Sequence, residues 1–188
     1  MVATGEGEPI VTEILTRINS NNFDFSGIPR LWIKKNNKIV PPTSNGKLVN
    51  IGRVTPDFSL FEERRFLRPM GGRVFKTLPL ETYRGCPFKC TFCNSPMQVT
   101  FSKENDLGHF LRRKKMIEVR NILRDLVQKH DPDYIYILDD SFLSRPRKEI
   151  FEFAEMYSEF SLPFWFNTRP ESCDNEILNA LKDVGLDR

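Results

Sequence analysis

Residues 134–142 read Tyr134-Ile-Tyr-Ile-Leu-Asp-Asp-Ser-Phe142, a short apolar run that ends in two acids and a serine. A short run rich in β-branched and aromatic side chains predicts a buried strand. Continuous rather than alternating apolar character is typical of a strand within a parallel sheet. Asp139, Asp140 and Ser141 then mark the point where this strand ends.

Strands and helices alternate on both sides of this run. Upstream, Leu78–Thr82 predicts a short strand, and apolar residues at helical spacing predict a helix from about Lys115 to Lys129. Downstream, we expect a helix capped by Ser144, a strand at Phe164–Phe166 and a third helix capped by Asp174. The order β-α-β-α-β-α predicts an α/β fold with a parallel sheet and right-handed crossovers.

The first of these strands leads into Tyr83-Arg-Gly-Cys-Pro-Phe-Lys-Cys-Thr-Phe-Cys-Asn94, which holds three cysteines at the spacing C-x3-C-x2-C. The remaining cysteine, Cys173, is distant in sequence. A structural zinc site normally has four protein ligands, and a cubane iron–sulfur cluster is usually held by four thiolates. Three thiolates would leave one iron open to another ligand. Zinc remains an alternative, with His109 or Cys173 as its fourth ligand.

The loops after three adjacent parallel strands should meet at one edge of the sheet, as they do at the C-terminal mouth of parallel barrels. The cysteine segment, residues 139–141 and Asn167-Thr-Arg169 occupy those three positions. The sequence therefore predicts one site assembled from segments that are far apart along the chain.

The N-terminal part of the chain has a different character. Apolar residues after Gly5-Glu-Gly-Glu8 predict a helix, and Asn36-Asn37 between two apolar segments predicts a hairpin of Leu31–Ile33 with Lys38–Val40. Residues 41–75 have no sustained period and are interpreted as a connecting segment. We therefore place a domain boundary between residues 75 and 76.

Composition limits the class of protein. The chain has 188 residues, 39% of them hydrophobic and 28% charged, with a net charge of +3. These values fit a globular protein, and the mild charge predicts no nucleic-acid partner. No apolar run is long enough to span a membrane and the first residues do not resemble a signal peptide, so we expect a cytoplasmic location without a membrane partner.

Arg84-Gly-Cys86-Pro-Phe-Lys-Cys90-Thr-Phe-Cys93 resembles the cluster-binding loop of the radical S-adenosylmethionine (radical SAM) enzymes, including the aromatic Phe92 before the last cysteine. The resemblance covers residues 76–188 and implies the first three βα units of a partial (β/α) TIM-like barrel, the N-terminal half of the core domain. It is strongest with the subgroup that carries an N-terminal cobalamin-binding domain, in which a Gly-Glu-Gly-Glu sequence stands near the end of that domain. Residues 1–75 would then be the tail of a cobalamin-binding-like domain plus a linker.

The chain also departs from that family pattern. It lacks an Asp-x-His-x-x-Gly sequence, and nearly all of a cobalamin domain would have to precede Met1. It stops where the family begins its fourth strand, so we expect an incomplete reading frame or a fragment. An inactive fragment that binds a cluster without the cofactor is therefore a further hypothesis.

The resemblance implies that Cys86, Cys90 and Cys93 hold a [4Fe-4S] cluster whose fourth iron binds S-adenosylmethionine (SAM). One electron, from a donor such as flavodoxin or ferredoxin, would then cleave SAM to methionine and a 5′-deoxyadenosyl radical that attacks a small-molecule substrate. Cobalamin is a further implied cofactor. A non-catalytic module that binds zinc or a cluster without SAM cleavage is the alternative.

The resemblance also implies roles for residues outside the triplet. Phe92 would pack near the adenine of SAM, or simply within its loop. Asp139, Asp140 and Ser141 would bind the methionine amino group, or else form a strand-end turn. Asn167 and Arg169 would bind a carboxylate of cofactor or substrate, with a structural salt bridge as the alternative for Arg169.

Overall fold

The computed structural model of the protein describes residues 1–187. Its strands are β1 (Val2–Ala3), β2 (Leu31–Lys35), β3 (Lys38–Val40), β4 (Leu67–Met70), β5 (Arg73–Leu80), β6 (Tyr83–Arg84), β7 (Arg112–Arg113), β8 (Tyr134–Ile137) and β9 (Phe164–Phe166). Its α-helices are α1 (Glu8–Asn19), α2 (Ser95–Glu104), α3 (Met116–His130), α4 (Arg147–Tyr157) and α5 (Asn175–Asp183). The chain forms two compact units: residues 1–50 with 92–110, and residue 51 to 91 with residue 111 onward.

The first unit is built on the antiparallel sheet β1-β2-β3. The predicted hairpin is confirmed: Asn36 and Asn37 both have a positive φ, the geometry that suits a tight two-residue turn. The predicted helix is confirmed as α1, with Pro9 in its first turn. Of its apolar stripe only Ile10 is buried, whereas Val11 and Leu15 are exposed.

The second unit is built on a four-stranded sheet of order β4-β5-β8-β9. The pairs β5–β8 and β8–β9 are parallel, which confirms the predicted order, and β4 is antiparallel to β5. Residues 186–187 continue the parallel direction alongside β9, since Phe164 bridges to Leu186. Within residues 1–187 the strands form an open sheet and no closed barrel.

One face of this sheet forms the main core. Alternate strand residues point to the same face, so Leu78, Leu80, Ile135, Ile137 and Phe164 all pack against apolar side chains of α3, α4 and α5. The opposite face carries Tyr136 and Trp165, half-buried rings stacked with their centroids 4.0 Å apart. The helices thus hold three strand ends in fixed register at one edge of the sheet.

Two local predictions are wrong. The segment 41–75 is not devoid of regular structure, because β4 and the start of β5 form a hairpin around Gly71 and Gly72, which both have positive φ. Strand β5 includes residues 75 and 76, between which we placed the domain boundary, and the boundary itself stays a prediction. Ser144 does not cap the second helix: α4 begins at Arg147, and Ser144 ends a 3₁₀ turn in which its hydroxyl donates to the Ser141 carbonyl. The predicted cap of α5 is confirmed, since Asp174 accepts from the Ile177 amide at 2.9 Å.

Candidate functional site

The three predicted polar segments follow the C-terminal ends of β5, β8 and β9, which are neighbours in the parallel sheet. The second and third segments are tied together directly, because the Phe142 amide donates to the Asn167 carbonyl at 2.9 Å. Topology therefore places at one edge of the sheet residues that lie more than eighty positions apart in sequence.

The cysteine loop, residues 85–94, contains no helix or strand. It begins at Gly85, which is buried with φ +97°, a conformation that favours glycine. Cys86 and Cys90 are partly buried and Cys93 is exposed, and none of the chain's cysteines forms a disulfide. At the end of the loop, the Ser95 amide at the start of α2 points at the Cys93 sulfur, 3.4 Å away.

The division into units passes through this loop. Cys86 and Cys90 belong to the second unit and Cys93 to the first. Across residues 1–187 the structure contains no group of three or more His, Cys, Asp or Glu side chains arranged to hold a metal ion. Phe92 is 92% exposed, so its ring face is open to solvent.

Asp139 lies inside the protein rather than at the surface of the site. Its side chain is 0% exposed, and its Oδ1 accepts the amides of Thr82 at 2.8 Å and Tyr83 at 2.9 Å. Its Oδ2 accepts the Thr82 hydroxyl. These contacts tie the end of β8 to the residues that lead from β5 into the cysteine loop.

Arg145 completes this network, and sequence reasoning missed it. Its side chain is 3% exposed, and it pairs with Asp139 while its Nε donates to the Phe142 carbonyl at 2.8 Å. The guanidinium carbon also lies 4.2 Å from the centroid of the Phe142 ring. The available signal was a basic residue six positions after the acid at the strand end. The 3₁₀ turn between them brings the two side chains together.

Burial shapes the electrostatics of this pair. Desolvation raises the pKa of the Asp139 carboxyl, and the charge of Arg145 opposes that rise. Desolvation also lowers the pKa of the Arg145 guanidinium, which Asp139 opposes. Arginine stays protonated in proteins, and the hydrogen bonds that Asp139 accepts from two amides favour its charged form, so the contact is described as a buried salt bridge. Removing one partner of such a buried pair typically costs about 3–5 kcal/mol of stability.

The neighbours of Asp139 differ from it. Asp140 is exposed. Ser141 is 1% exposed, and its buried hydroxyl oxygen has no hydrogen-bond partner among the described residues. Of the acidic pair that follows β8, only Asp140 therefore presents its carboxylate to solvent.

Arg169 is brought to the cysteine loop. Its guanidinium carbon lies 4.4 Å from the centroid of the Phe88 ring, and its Nη2 pairs with Glu171 at 2.7 Å. The hydrogen bond and charge of Glu171 raise the pKa of Arg169 against a small opposing effect of burial, and negative charge on the sulfurs of Cys90 and Cys86 would raise it further. A cation is thus held beside two of the three predicted ligands.

The other predicted residues have more local contacts. Asn167 is exposed, and its Nδ2 donates to the Tyr136 hydroxyl at 2.8 Å on the open face of the sheet. Cys173 is exposed and its sulfur lies 3.8 Å from the Arg169 carbonyl oxygen. His109 is exposed in the first unit.

A mixed sheet whose first parallel strand leads into a loop with three cysteines in eight residues defines an α/β protein with a candidate metal or cluster site. Residues 80–188, more than half of the chain, match the model of the radical SAM superfamily. The chain therefore belongs to the radical SAM superfamily.

Curated relatives match nearly the whole chain. The anaerobic magnesium-protoporphyrin IX monomethyl ester cyclase of Rubrivivax gelatinosus is 26% identical over 98% of this chain and 32% of its own length. An uncharacterised methyltransferase of Pyrococcus horikoshii is 26% identical over 98% of this chain and 38% of its own length. The chain thus spans about a third of the length of the curated relatives it matches.

Solved structures show the same fold. The radical SAM methyltransferase TsrM of Kitasatospora setae, with cobalamin and a [4Fe-4S] cluster bound, aligns with a TM-score of 0.57 at 20% identity. The same enzyme with tryptophan and a SAM analogue bound aligns with a TM-score of 0.60 at 18% identity. Both alignments cover 97% of this chain and about a third of TsrM.

None of the helices within residues 1–187 combines the length and the apolar character needed to cross a membrane.

Proposed function

We propose that this chain belongs to an enzyme that binds a [4Fe-4S] cluster through Cys86, Cys90 and Cys93 and cleaves SAM reductively to a 5′-deoxyadenosyl radical. The observation that carries the proposal is the C-x3-C-x2-C loop at the end of the first parallel strand, inside the span that matches the superfamily. The proposal extends from superfamily membership to a ligand set and a reaction.

The donor set fits such a cluster. The three cysteines form no disulfide and stand on a loop without regular structure, so its backbone can adapt to a bound cluster. Cysteine thiolates are the usual ligands of iron–sulfur clusters. When bound, the cluster would pass on the electron that breaks a carbon–sulfur bond of the SAM sulfonium.

Other residues of the site would bind and orient the cofactor. Arg169 is held beside Cys86 and Cys90 by Phe88 and Glu171, and a guanidinium suits recognition of a carboxylate. Asp140 presents a carboxylate that suits the methionine amino group, Asn167 offers a further polar group, and the exposed ring of Phe92 suits the adenine, whereas the Ser141 hydroxyl is buried. The Asp139 carboxylate accepts the amides of Thr82 and Tyr83, which precede the loop, and this favours a positioning role over direct cofactor contact.

Methyl transfer that depends on cobalamin, or related radical chemistry, is the reaction class we favour. Its support is that the alignment with TsrM covers 97% of this chain and so includes most of residues 1–75. Those residues would be the tail of a cobalamin-binding-like domain plus a linker, and 76–188 the first three βα units of a partial TIM-like barrel. A small-molecule substrate, a donor such as flavodoxin or ferredoxin and a cytoplasmic location complete the proposal.

Anaerobic reconstitution with iron and sulfide tests the proposal. We expect iron and sulfide uptake, broad visible absorption and, after reduction with SAM present, release of 5′-deoxyadenosine. Replacing Cys86, Cys90 or Cys93 by alanine should abolish cluster retention, because each removes one of only three ligands. Cys173→Ala is the matched control and should keep the wild-type iron content.

The outcomes separate the alternatives. One equivalent of zinc with no iron uptake would support a zinc-binding module and refute the cluster. Iron uptake without 5′-deoxyadenosine, together with no heat on titration with SAM, would support a cluster-binding chain that does not use the cofactor.

A further inference from the structure

The chain has little freedom between the first strand and the first cysteine. Thr82 uses every polar group it has: its amide and hydroxyl bind Asp139, and its carbonyl accepts the Lys114 amide at 2.9 Å. Tyr83 and Arg84 then pair with β7. Only Gly85 separates this doubly held segment from Cys86.

Asp139 is itself held in place by Arg145. Arg145 bridges Asp139 and the Thr82 hydroxyl with one nitrogen, the second contact at 2.8 Å, and reaches the Phe142 carbonyl with another. Both side chains are nearly fully buried, so no solvent shell can replace a lost partner. If Arg145 were removed, the buried carboxyl of Asp139 would have to take up a proton or move toward water, and either change weakens the hydrogen bonds that it accepts from the two amides.

We propose that Asp139 and Arg145 are positioning residues for the cysteine loop, and that they fix the environment of the bound cluster from outside the three-cysteine motif. The inference rests on the proposed function, because it assigns these residues a task toward that cluster. A buried ion pair that only stabilised the sheet would not need two consecutive amides from the chain segment that enters the loop.

Three variants and one control test the inference. Asp139→Ala removes the acceptor, and Arg145→Met leaves the acceptor without its counter-charge. The double variant Asp139→Asn/Arg145→Met removes both charges but keeps an oxygen that can accept the amides. Arg124→Met makes the same change at an exposed ion pair with Glu159 and serves as the control.

Two measurements are needed beside urea denaturation. Hydrogen exchange of the Thr82 and Tyr83 amides in the metal-free chain measures how firmly Asp139 holds them. The electron paramagnetic resonance (EPR) spectrum of the reduced cluster reports the environment of that cluster. We expect exchange about tenfold faster or more and shifted g values in Asp139→Ala and Arg145→Met. The double variant should recover slow exchange and the wild-type spectrum, and the control should match wild type throughout.

Wild-type exchange and g values in the single variants would count against the inference. If the single variants lose stability while their folded fraction keeps wild-type exchange and g values, the pair is purely structural. If Asp139→Ala does not fold, Arg145→Met and the double variant decide the question alone. If every protein, wild type included, takes up no cluster, the proposed function falls and this inference with it. If the wild type takes up the cluster and the variants match it in exchange and g values, only the inference is overturned and the proposed function stands.

Discussion

Removal of the phenolic oxygen should have opposite effects on the free energy of unfolding at Tyr157 and at Tyr134. The Tyr157 side chain is 0% exposed, and its hydroxyl has no hydrogen-bond partner among residues 1–187. Burial raises the pKa of this phenol, so it stays neutral. Tyr134 is 1% exposed, and its hydroxyl donates to Asp187 at 2.8 Å.

We expect Tyr157→Phe to stabilise the protein. Its ring packs against Phe153 and Phe164, with centroids 5.2 Å and 4.6 Å away, and phenylalanine keeps those contacts. A buried donor without a partner costs about 1–3 kcal/mol, so its removal should raise the free energy of unfolding by about 1 kcal/mol or more. For a chain of this size that corresponds to about 2–4 °C in Tm per kcal/mol.

Tyr134→Phe should destabilise the protein by about 1 kcal/mol, because it removes a hydrogen bond to a carboxylate. Urea denaturation of both variants and wild type, followed by far-ultraviolet circular dichroism, measures the two changes, and the slope m should be unchanged. A Tyr157→Phe variant that is less stable than wild type would refute the reasoning, since the hydroxyl would then have a stabilising partner.

Two further changes have outcomes set by the structure. Gly185→Ala should lower the free energy of unfolding in urea by about 3 kcal/mol or more, because at φ +118° its new Cβ would lie 2.5 Å from the Leu162 carbonyl oxygen. Gly108→Ala is the control: at φ +110° its Cβ meets nothing within 4 Å, so it should cost only about 1–2 kcal/mol. Equal costs for the two variants would exclude the clash. Asp174→Asn should be less stable than wild type near neutral pH, because the Ile177 amide lowers the pKa of Asp174 below its ordinary 3.8 and so stabilises the folded state above that value. That advantage is lost as the pH falls through the lowered pKa, so the two unfolding curves should converge in acid; a difference that persists there would contradict the assignment.

Much of the second unit could be predicted because its signals lie between near neighbours in sequence. Helix α3 follows from apolar residues three and four apart, and β8 from a continuous apolar run. The β4–β5 hairpin was missed because charged and proline residues obscure the strand pattern, although the dipeptide Gly71-Gly72 was an available turn signal. The apolar run alone could not predict that the sheet face with Tyr136 and Trp165 is only half-buried.

The candidate site divides in the same way. Sequence spacing predicts Cys86, Cys90 and Cys93 as a ligand set, since their grouping is a property of eight consecutive positions. It treats Asp139 and Asp140 as equivalent acids. In the structure Asp139 is buried against the residues that lead into the loop, whereas Asp140 is exposed to solvent.

The sequence by itself determined the βα order, the presence of three cysteines in one loop and the polar character of the strand ends, because these depend on residues close together in the chain. Only the tertiary structure decided that Asp139 holds Thr82, 57 positions away, and that Arg145 neutralises it. The physical reason is register: Leu80 stands opposite Ile137, and that pairing sets which strand-end side chain meets the start of the cysteine loop.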